Sequence, residues 1–311
     1  MSKIILKEIQ KFKNIILTQH INPDGDAIGS SLGLKFFIEH NFPDKIVKIT
    51  GDRIPQYLNF LGGFDNIENI ELSESLLIIS DTANESRIDF TDWKKCKKII
   101  KIDHHISNEP FGDINLVEPE YIANCEIVFK ILENSKLELN KKILEPLMLG
   151  LITDSGRFLY PKTNEKTFHM AQKCLQYNVD IFKIYNDLYV SNLNIFKFKQ
   201  WLFNNVILEE QHGFGYVVIR EKDVIKQNVS IDDAKSLINI LSNINEIKIW
   251  FFVVEDKKSN FWKISIRSRH VNLINLVEQF NGGGHKLAAG CSISNLEELP
   301  NFIKVLKTYL N

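Results

Sequence analysis

Short apolar runs alternate with amphipathic stretches along the first half of the chain. Runs of β-type residues stand at 14–18, 46–50, 76–80 and 98–102, and stretches with helical periodicity, such as 27–40, separate them. Alternation of this kind predicts an α/β domain, in which parallel strands form one sheet with helices on both faces.

The pattern changes after residue 154. Helical periodicity dominates the next fifty residues, at 164–177, 181–188 and 193–205. Strand-type and helical segments then alternate again, with strands at 214–219, 247–255 and 261–267 and helices at 231–244, 272–280 and 296–310. These segments predict a smaller α+β domain that a helical region joins to the parallel-sheet domain.

The chain contains no Gly/Ser-rich linker, so the domain boundary is expected within the helical region. We divide the chain into a first domain at 1–190, a helical linker at 191–208 and a second domain at 209–311.

A polar loop follows the first apolar run and opens the first long helix. It contains His20, Asp24 and Asp26, and a glycine separates the two aspartates. The small residue allows the backbone to curl, so both carboxylates could face neighbouring cations. Asn, Pro, Asp and Gly are also the commonest turn formers, and a solvated turn is the alternative interpretation of this segment alone.

Further acids and imidazoles end later apolar runs. Asp81 follows the third strand, where a helix N-cap is the simpler interpretation. Asp103, His104 and His105 end the fourth strand; the two histidines face opposite ways on a strand, which suggests one for a metal and one for a phosphate. Asp103 would accept a ring N–H. Asp154 closes an apolar helix, where a buried carboxylate requires a cationic partner.

Together these side chains are suited to two divalent cations about 3.5 to 4 Å apart, which would activate a water for hydrolysis. The predicted metal ligands are His20, Asp24, Asp26, Asp81, His104 and Asp154, and the predicted catalytic residues are Asp81, Asp103, His104 and His105.

Composition restricts the kind of protein. The 311 residues carry a net charge of −1, which argues against a protein that coats long nucleic acid. No apolar run approaches the roughly 20 residues of a membrane span, and the N-terminus lacks a signal-peptide core. The four cysteines have no C-x-x-C spacing and are expected to be reduced, mostly buried thiols. We therefore expect a cytoplasmic protein with no membrane partner.

The order of these motifs resembles the DHH phosphoesterase superfamily, which is named for the motif at 103–105. The segment 281–290, Asn-Gly-Gly-Gly-His-Lys-Leu-Ala-Ala-Gly, resembles the glycine-rich signature of the associated substrate-binding domain. The resemblance runs from about Ile4 to the C-terminus and is strongest to the bacterial nanoRNase and pAp phosphatase branch.

The resemblance implies roles for individual residues. His20, Asp24 and Asp81 would hold a first metal ion. A second would be held by Asp26, Asp81, His104 and Asp154, with Asp81 bridging and His105 facing the phosphate. The family usually uses manganese, and a ligand set of oxygen and imidazole without cysteine agrees with that metal.

One departure from the family pattern concerns Asn124. Relatives commonly have Ser or Thr before the Glu-Ile-Val helix, where this chain has Ala123 and Asn124. A hydroxyl contact to phosphate is therefore not expected here, although the Asn124 side-chain amide could donate instead.

The second domain offers groups that could bind an anion. Arg267 and Arg269 end a strand and would share one face if the strand continues, while Gly283 and Gly284 let backbone N–H groups approach an anion, next to His285. Solvated arginines are the simpler interpretation, and the resemblance favours contact of this cluster with substrate.

The predicted function is hydrolysis of short nucleotides by two metal ions. The substrates would be short oligoribonucleotides, pAp, or the dinucleotides pApA and cyclic di-AMP, and the sequence does not rank them. An inorganic pyrophosphatase and a non-catalytic nucleotide-binding protein are the alternatives. A homodimer is compatible with the sequence, which leaves the oligomeric state open.

Overall fold

The first compact unit contains all the acidic motifs. A computed structural model of the chain describes residues 1–106, 110–257 and 259–310, without the side chain of His285. Its contacts divide the chain into units Met1–Val190 and Ser191–Asn311. The helices of the first unit are α1 Ser2–Lys11, α2 Gly25–Asn41, α3 Asn124–Ser135, α4 Lys141–Asp154, α5 Glu165–Gln176 and α6 Ile181–Tyr189, and its strands are β1 Asn14–Thr18, β2 Ile46–Ile49, β3 Leu76–Ser80, β4 Lys98–Asp103 and β5 Ile114–Val117.

The five strands form a parallel sheet in the order β2-β1-β3-β4-β5. After β1 the chain forms the edge strand β2 on one side of β1 and then returns to form β3 on the other side of β1. Ligands of open α/β sheets bind at such a switch point, outside the carboxyl ends of the strands. The parallel sheet that the alternating pattern predicted is confirmed.

The two faces of this sheet are covered differently. Ile15, Leu17 and Ile78 lie in one large core with residues of α1 to α6. On the opposite face, Ile16 and Leu77 pack against side chains from loops and 3-10 turns. The expected helices on both faces are therefore wrong for this side in the described part of the chain. The reason is that the connections to β4 and β5 contain only 3-10 turns or loop in the residues described.

Helices α2 and α4 pack backbone to backbone at the acidic loop. Gly25, Gly29 and Gly33 lie four residues apart on α2, and a Cβ at Gly29 would collide with the carbonyl oxygen of Pro146 in α4. A Cβ at Gly150 of α4 would lie 2.9 Å from the Cα of Asp26. The glycines thereby bring the start of α2 against the end of α4.

The second unit has a mixed six-stranded sheet in the order β10-β11-β9-β8-β7-β6. Its strands are β6 Ile207–Glu209, β7 Phe214–Ile219, β8 Ile249–Asp256, β9 Phe261–Ser268, β10 Gly283–His285 and β11 Ala288–Ile293, and its helices are α7 Leu193–Asn205, α8 Glu221–Gln227, α9 Ile231–Ser236, α10 Ile274–Glu278 and α11 Leu299–Lys307. Phe198 and Leu202 of α7 pack with β7 and β8 in one core, and α10 and α11 cover the opposite face in another.

Several elements differ from the pattern-based expectations. The helix expected at 231–244 is α9 followed by a 3-10 helix at Leu237–Leu241, while α1, α8, β5, β6, β10 and β11 had no prediction. These are mostly short elements whose apolar side chains are buried only by tertiary contacts. No helix in the described ranges combines the length and hydropathy needed to cross a membrane.

Candidate metal centre

The acidic motifs meet at the carboxyl ends of three adjacent strands. His20 follows β1, Asp81 follows β3 and His104 follows β4. Asp26 lies in the first turn of α2, and Asp154 is the last residue of α4. Parallel strands place their carboxyl ends on one edge of the sheet, so residues up to 134 positions apart in the sequence converge at the β1/β3 switch point.

Among the residues that the structure describes, three groups of side chains have the geometry of a metal site. In each group the ligand atoms lie within 4.8 Å of one another. The groups are His20 with Asp24 and Asp81; Asp26 with His104 and Asp154; and Asp81 with His104 and His105. Asp81 and His104 each belong to two groups, so the three form one connected cluster. The structure therefore brings all six predicted ligands together.

Asp81 lies at the centre of this cluster under unusual local constraints. Its φ of 53° is in the left-handed region, and its side chain is 2% exposed. The Oδ1 atom has no hydrogen-bond partner within the described ranges, while Oδ2 lies 3.6 Å from Nε2 of His20. A buried carboxylate oxygen that lacks a hydrogen bond is costly, and strained backbone concentrates at functional sites. A cation bound within this cluster would give this oxygen a partner.

His20 and His104 are oriented alike. The Nδ1 atom of His20 lies 3.0 Å from the carbonyl oxygen of Ile21, and that of His104 lies 3.4 Å from the carbonyl of Tyr121. On the other edge of each ring, Nε2 faces the carboxylates, at 3.2 Å from Oδ1 of Asp81 for His104. A ring that donates from Nδ1 to a carbonyl presents its Nε2 lone pair to a metal.

Asp26 is fully buried and is held by the start of α3. Its oxygens accept hydrogen bonds from the backbone N–H of Asn124 at 2.5 Å and of Cys125 at 2.8 Å. The Asn124 side chain is also fully buried, and its amide donates to Oγ of Ser30 at 3.0 Å. The alternative that this amide donates to phosphate is therefore wrong. Asn124 supports the metal loop from behind.

Electrostatics in the cluster favour bound cations. Burial and the charge of Asp81 raise the pKa of Asp26 to about 7, and burial with the charges of Asp26 and Asp24 raises that of Asp154 well above its usual value. Burial also raises the pKa of Asp81, but the nearby imidazoles of His104 and His20 outweigh this effect and hold the pKa far below the usual range. Four carboxylates this close cannot all ionise without positive charge nearby.

The imidazole of His105 has a different partner. Its Nδ1 donates to Oδ1 of Asp103 at 2.8 Å, and the same nitrogen lies 3.4 Å from Oδ1 of Asp81. The ring N–H that Asp103 was expected to receive is thus that of His105, whereas His104 is oriented by a backbone carbonyl.

A buried lysine behind this pair had no prediction. Lys101, in β4, is fully buried, with Nζ at 3.3 Å from Oδ2 of Asp103 and donating to the carbonyl of Ala83 at 2.8 Å. It connects the strand that ends in the histidine pair with the loop that follows Asp81. A lysine between Ile100 and Ile102 of this apolar strand was the sequence signal that could have revealed it.

In the second unit, part of one sheet face is lined by small residues. Arg267 pairs in register with Ala288, which also pairs with His285; two residues along, Ser265 pairs with Gly290, which pairs with Gly283. A Cβ at Gly283 would meet no described atom within 4 Å, so its backbone is open on the part of the structure described. Gly284 has a φ of 142°, and a Cβ there would lie 2.6 Å from the Cα of Ala289.

Arg269 lies beyond the end of strand β9, whereas Arg267 lies within it. Strand β9 ends at Ser268, so the continuation that would place both arginines on one face is absent from the described structure. The Nη2 atom of Arg269 donates to the carbonyls of Ser242 at 2.7 Å and Ile244 at 2.5 Å. Contact of Arg269 with substrate stays a prediction, and the side chain of His285 lies outside the described residues.

Two family models match the chain. Residues 14–151 match the model described as DHH family, N-terminal domain, and residues 214–311 match the DHHA1 domain. All six predicted metal ligands except Asp154 fall within the first match, and the glycine-rich segment falls within the second.

Curated relatives match over nearly their whole length. The chain is 33% identical over 307 residues to the bifunctional oligoribonuclease and PAP phosphatase NrnA of Bacillus subtilis, a match that covers 98% of this chain and 97% of that protein. It is 30% identical to the protein of the same name from Mycoplasma genitalium, covering 96% and 94%. Among solved structures, an exopolyphosphatase-related protein from Bacteroides fragilis superposes with a TM-score of 0.89 at 24% identity, covering 99% and 95%, which shows a shared fold.

Proposed function

Because this chain belongs to the DHH family and ends in a DHHA1 domain, we propose that it is a metal-dependent phosphoesterase that hydrolyses short nucleotides. The proposed substrates are short oligoribonucleotides, which would be cut to 5′-mononucleotides, and pAp, which would be cut to AMP and phosphate. The dinucleotides pApA and cyclic di-AMP are further candidates.

The observation that carries this proposal is the overlap of the three ligand groups at Asp81 and His104. We assign His20, Asp24 and Asp81 to one ion, and Asp26, Asp81, His104 and Asp154 to another, with Asp81 shared. When bound, two divalent ions would supply an activated water and neutralise charge on the reacting phosphate. We propose Mn²⁺ as the metal, and the donor set of oxygen and imidazole agrees with it.

The surrounding residues prepare the site for this chemistry. Backbone N–H groups of α3 hold Asp26 rigidly, and the carbonyls of Ile21 and Tyr121 orient the two metal-facing imidazoles. Asp103 orients His105, which we propose contacts the substrate phosphate with its other ring nitrogen. Groups fixed before substrate binds cost little reorganisation during the reaction.

We propose that the second unit binds the nucleotide. The small-residue face beside Arg267, with the open backbone at Gly283 next to Gly284, would accept a flat or anionic group, and Arg269 and His285 complete the predicted contacts. The proposed domain bounds remain 1–190, 191–208 and 209–311. We also propose a cytoplasmic location, which the four free, buried cysteines support.

A turnover panel in Mn²⁺ tests the function. The substrates are pAp, a 5′-phosphorylated diribonucleotide, pApA, cyclic di-AMP and inorganic pyrophosphate. Protein treated with a metal chelator is the control. We expect hydrolysis of at least one nucleotide and little of pyrophosphate. Turnover of pyrophosphate alone would identify a pyrophosphatase, and binding without turnover in every case would identify a nucleotide-binding protein.

A further inference from the structure

Arg87 lies beside the first metal loop and has no part in the assignments above. It ends the 3-10 helix Glu85–Arg87, and its carbonyl accepts a hydrogen bond from the N–H of Ile21 at 2.8 Å. The next residue, Ile88, forms an antiparallel bridge with His20. These backbone contacts fix Arg87 next to His20, although its side chain is exposed.

The guanidinium of Arg87 has no acidic partner within the residues that the structure describes. Its Nη2 atom lies 3.3 Å from Nδ1 of His20. Four aspartates line the adjacent cluster, yet none of them lies within ion-pair distance of this arginine. A guanidinium carries five N–H donors and stays charged at any working pH, so most of its hydrogen-bonding capacity is unused here.

The contact with His20 is itself a weak use of these donors. Nδ1 of His20 lies 3.0 Å from the carbonyl of Ile21, and Nε2 faces Asp24 and Asp81 at 3.8 and 3.6 Å. With Nε2 turned to a cation, Nδ1 carries the ring hydrogen and donates it to Ile21. A nitrogen that donates a hydrogen cannot also accept one from Arg87, so the guanidinium donors remain available to another acceptor.

We propose that Arg87 binds a non-bridging oxygen of the phosphate that reacts at the metal centre, an assignment that rests on the proposed phosphoesterase function. A planar guanidinium suits the tetrahedral oxygens of a phosphate, to which it can donate two parallel hydrogen bonds. The side chains of the cluster are otherwise carboxylates and imidazoles, and carboxylates repel an anionic substrate. Arg87 adds a permanent positive charge at the rim of this cluster.

The test compares Arg87→Gln and Arg87→Lys with Lys94→Gln. Lys94 is a matched control because it is an exposed cation in the same connection between β3 and β4, paired with Glu85 at 2.9 Å. Three quantities are measured: the affinity for Mn²⁺, the affinity of the Mn²⁺-loaded protein for inorganic phosphate by calorimetry, and kcat and KM on pAp.

For Arg87→Gln we expect phosphate affinity and kcat/KM to fall by about 10- to 100-fold, the loss typical of a charge-assisted hydrogen bond, with Mn²⁺ affinity unchanged. Arg87→Lys keeps the charge without the fork and should recover part of this loss. Lys94→Gln should match the unsubstituted protein in all three quantities.

Two results would overturn the assignment. One is unchanged phosphate affinity and kcat/KM in Arg87→Gln. The other is a parallel loss of Mn²⁺ affinity, because Arg87 would then support the metal loop. Failure of the phosphoesterase function is a separate result, seen as no turnover of any nucleotide by the unsubstituted protein, and phosphate calorimetry still decides the role of Arg87 in that case.

Discussion

At the level of single residues, Asp81 combines three energetically costly features. Its carboxylate is buried, its backbone adopts a left-handed conformation, and its Oδ1 atom lacks a hydrogen bond from any residue that the structure describes. In the metal-free chain, the imidazoles of His20 and His104 provide its compensating charge. The same imidazoles would turn to the ions once these bind, so protons and metals compete for one set of side chains.

Substitution of Asp81 by Asn removes the shared ligand and leaves the side-chain shape nearly unchanged. We expect turnover to fall on the order of 10³-fold or more, because a neutral amide cannot bridge two cations, while the melting temperature changes little. Turnover and thermal unfolding are measured on the same samples. Asp92→Asn, an exposed aspartate paired with Lys95, is the control. Near-normal turnover in Asp81→Asn would contradict the two-metal assignment.

The metal-free protein should lose stability as the pH rises. Burial lowers the pKa values of His20 and His104, but hydrogen bonds and charges of the aspartates outweigh it and raise them to about 9 and about 10. The folded state therefore holds protons that the unfolded state releases near pH 6.5. Their contribution is complete below about pH 6.5 and is lost as the pH passes through 9 and 10.

The measurement is urea unfolding in the presence of a chelator, at pH values between 6 and 10. A double variant, His20→Asn with His104→Asn, should show a shallower decline over this range than the unsubstituted chain. Equal declines in the two proteins would show that other groups cause the pH dependence.

At the level of secondary-structure elements, two contacts support the site. Helices α2 and α4 approach closely through glycines, which brings the loop with Asp26 against the end of α4. Strand β4 contributes Lys101, whose ammonium group lies between Asp103 and the carbonyl of Ala83. Both contacts are buried, and neither the glycines nor Lys101 belong to the proposed set of metal ligands.

Gly29→Ala should destabilise the first unit by about 1 to 3 kcal/mol, because the added methyl group meets the backbone carbonyl of Pro146, which cannot move aside cheaply. Denaturant unfolding gives the free energy. Gly63→Ala is the matched control, since a Cβ there meets nothing within 4 Å. Similar free energies for the two variants would mean that the helices separate without cost.

Lys101→Met should destabilise the protein by about 3 to 5 kcal/mol, because it leaves the buried carboxylate of Asp103 without its cation. The double variant Lys101→Met with Asp103→Asn removes both charges and should recover part of this loss. Lys98→Met, on the same strand but partly exposed, should change stability by at most about 0.5 kcal/mol. A mild effect of Lys101→Met would show that the ion pair contributes little.

At the level of the whole molecule, the proposed metal-binding residues and the proposed nucleotide-binding face lie in different units. All proposed metal ligands lie in Met1–Val190, and the small-residue face beside Arg267 lies in Ser191–Asn311. The net charge of −1 leaves no excess of basic residues for binding a long phosphate backbone. Counterion release, which gives proteins most of their affinity for long nucleic acids, should therefore contribute little.

Turnover should accordingly fall with substrate length. Initial rates are compared on 5′-phosphorylated RNAs of two, five and roughly twenty-four nucleotides, at matched concentrations of ends and physiological salt. We expect the two shorter RNAs to be cleaved fastest. Cleavage of the longest RNA at an equal or higher rate would favour a processive exonuclease. The dependence of rate on salt provides an internal check, since it should be shallow for every length.

The sequence alone determined the local features of this protein. Strands at 14–18 and 76–80 were predictable because their apolar runs are uninterrupted. The first run matches β1 and the second matches β3. The candidate ligands were identifiable because acids and imidazoles at the ends of apolar runs are costly unless they have a function. The family resemblance required only the identity and order of these residues.

Tertiary structure alone decided which atoms meet. The sheet order places Asp81 between the loops that contain His20 and His104, and the glycine contact brings Asp154 to Asp26 from 128 residues away. Lys101 reads as an interruption of a strand until Asp103 is seen beside it, and Asn124 reads as a phosphate ligand until its burial is known. Burial and pairing of this kind depend on contacts between distant segments, which no local pattern of hydrophobic and polar residues encodes.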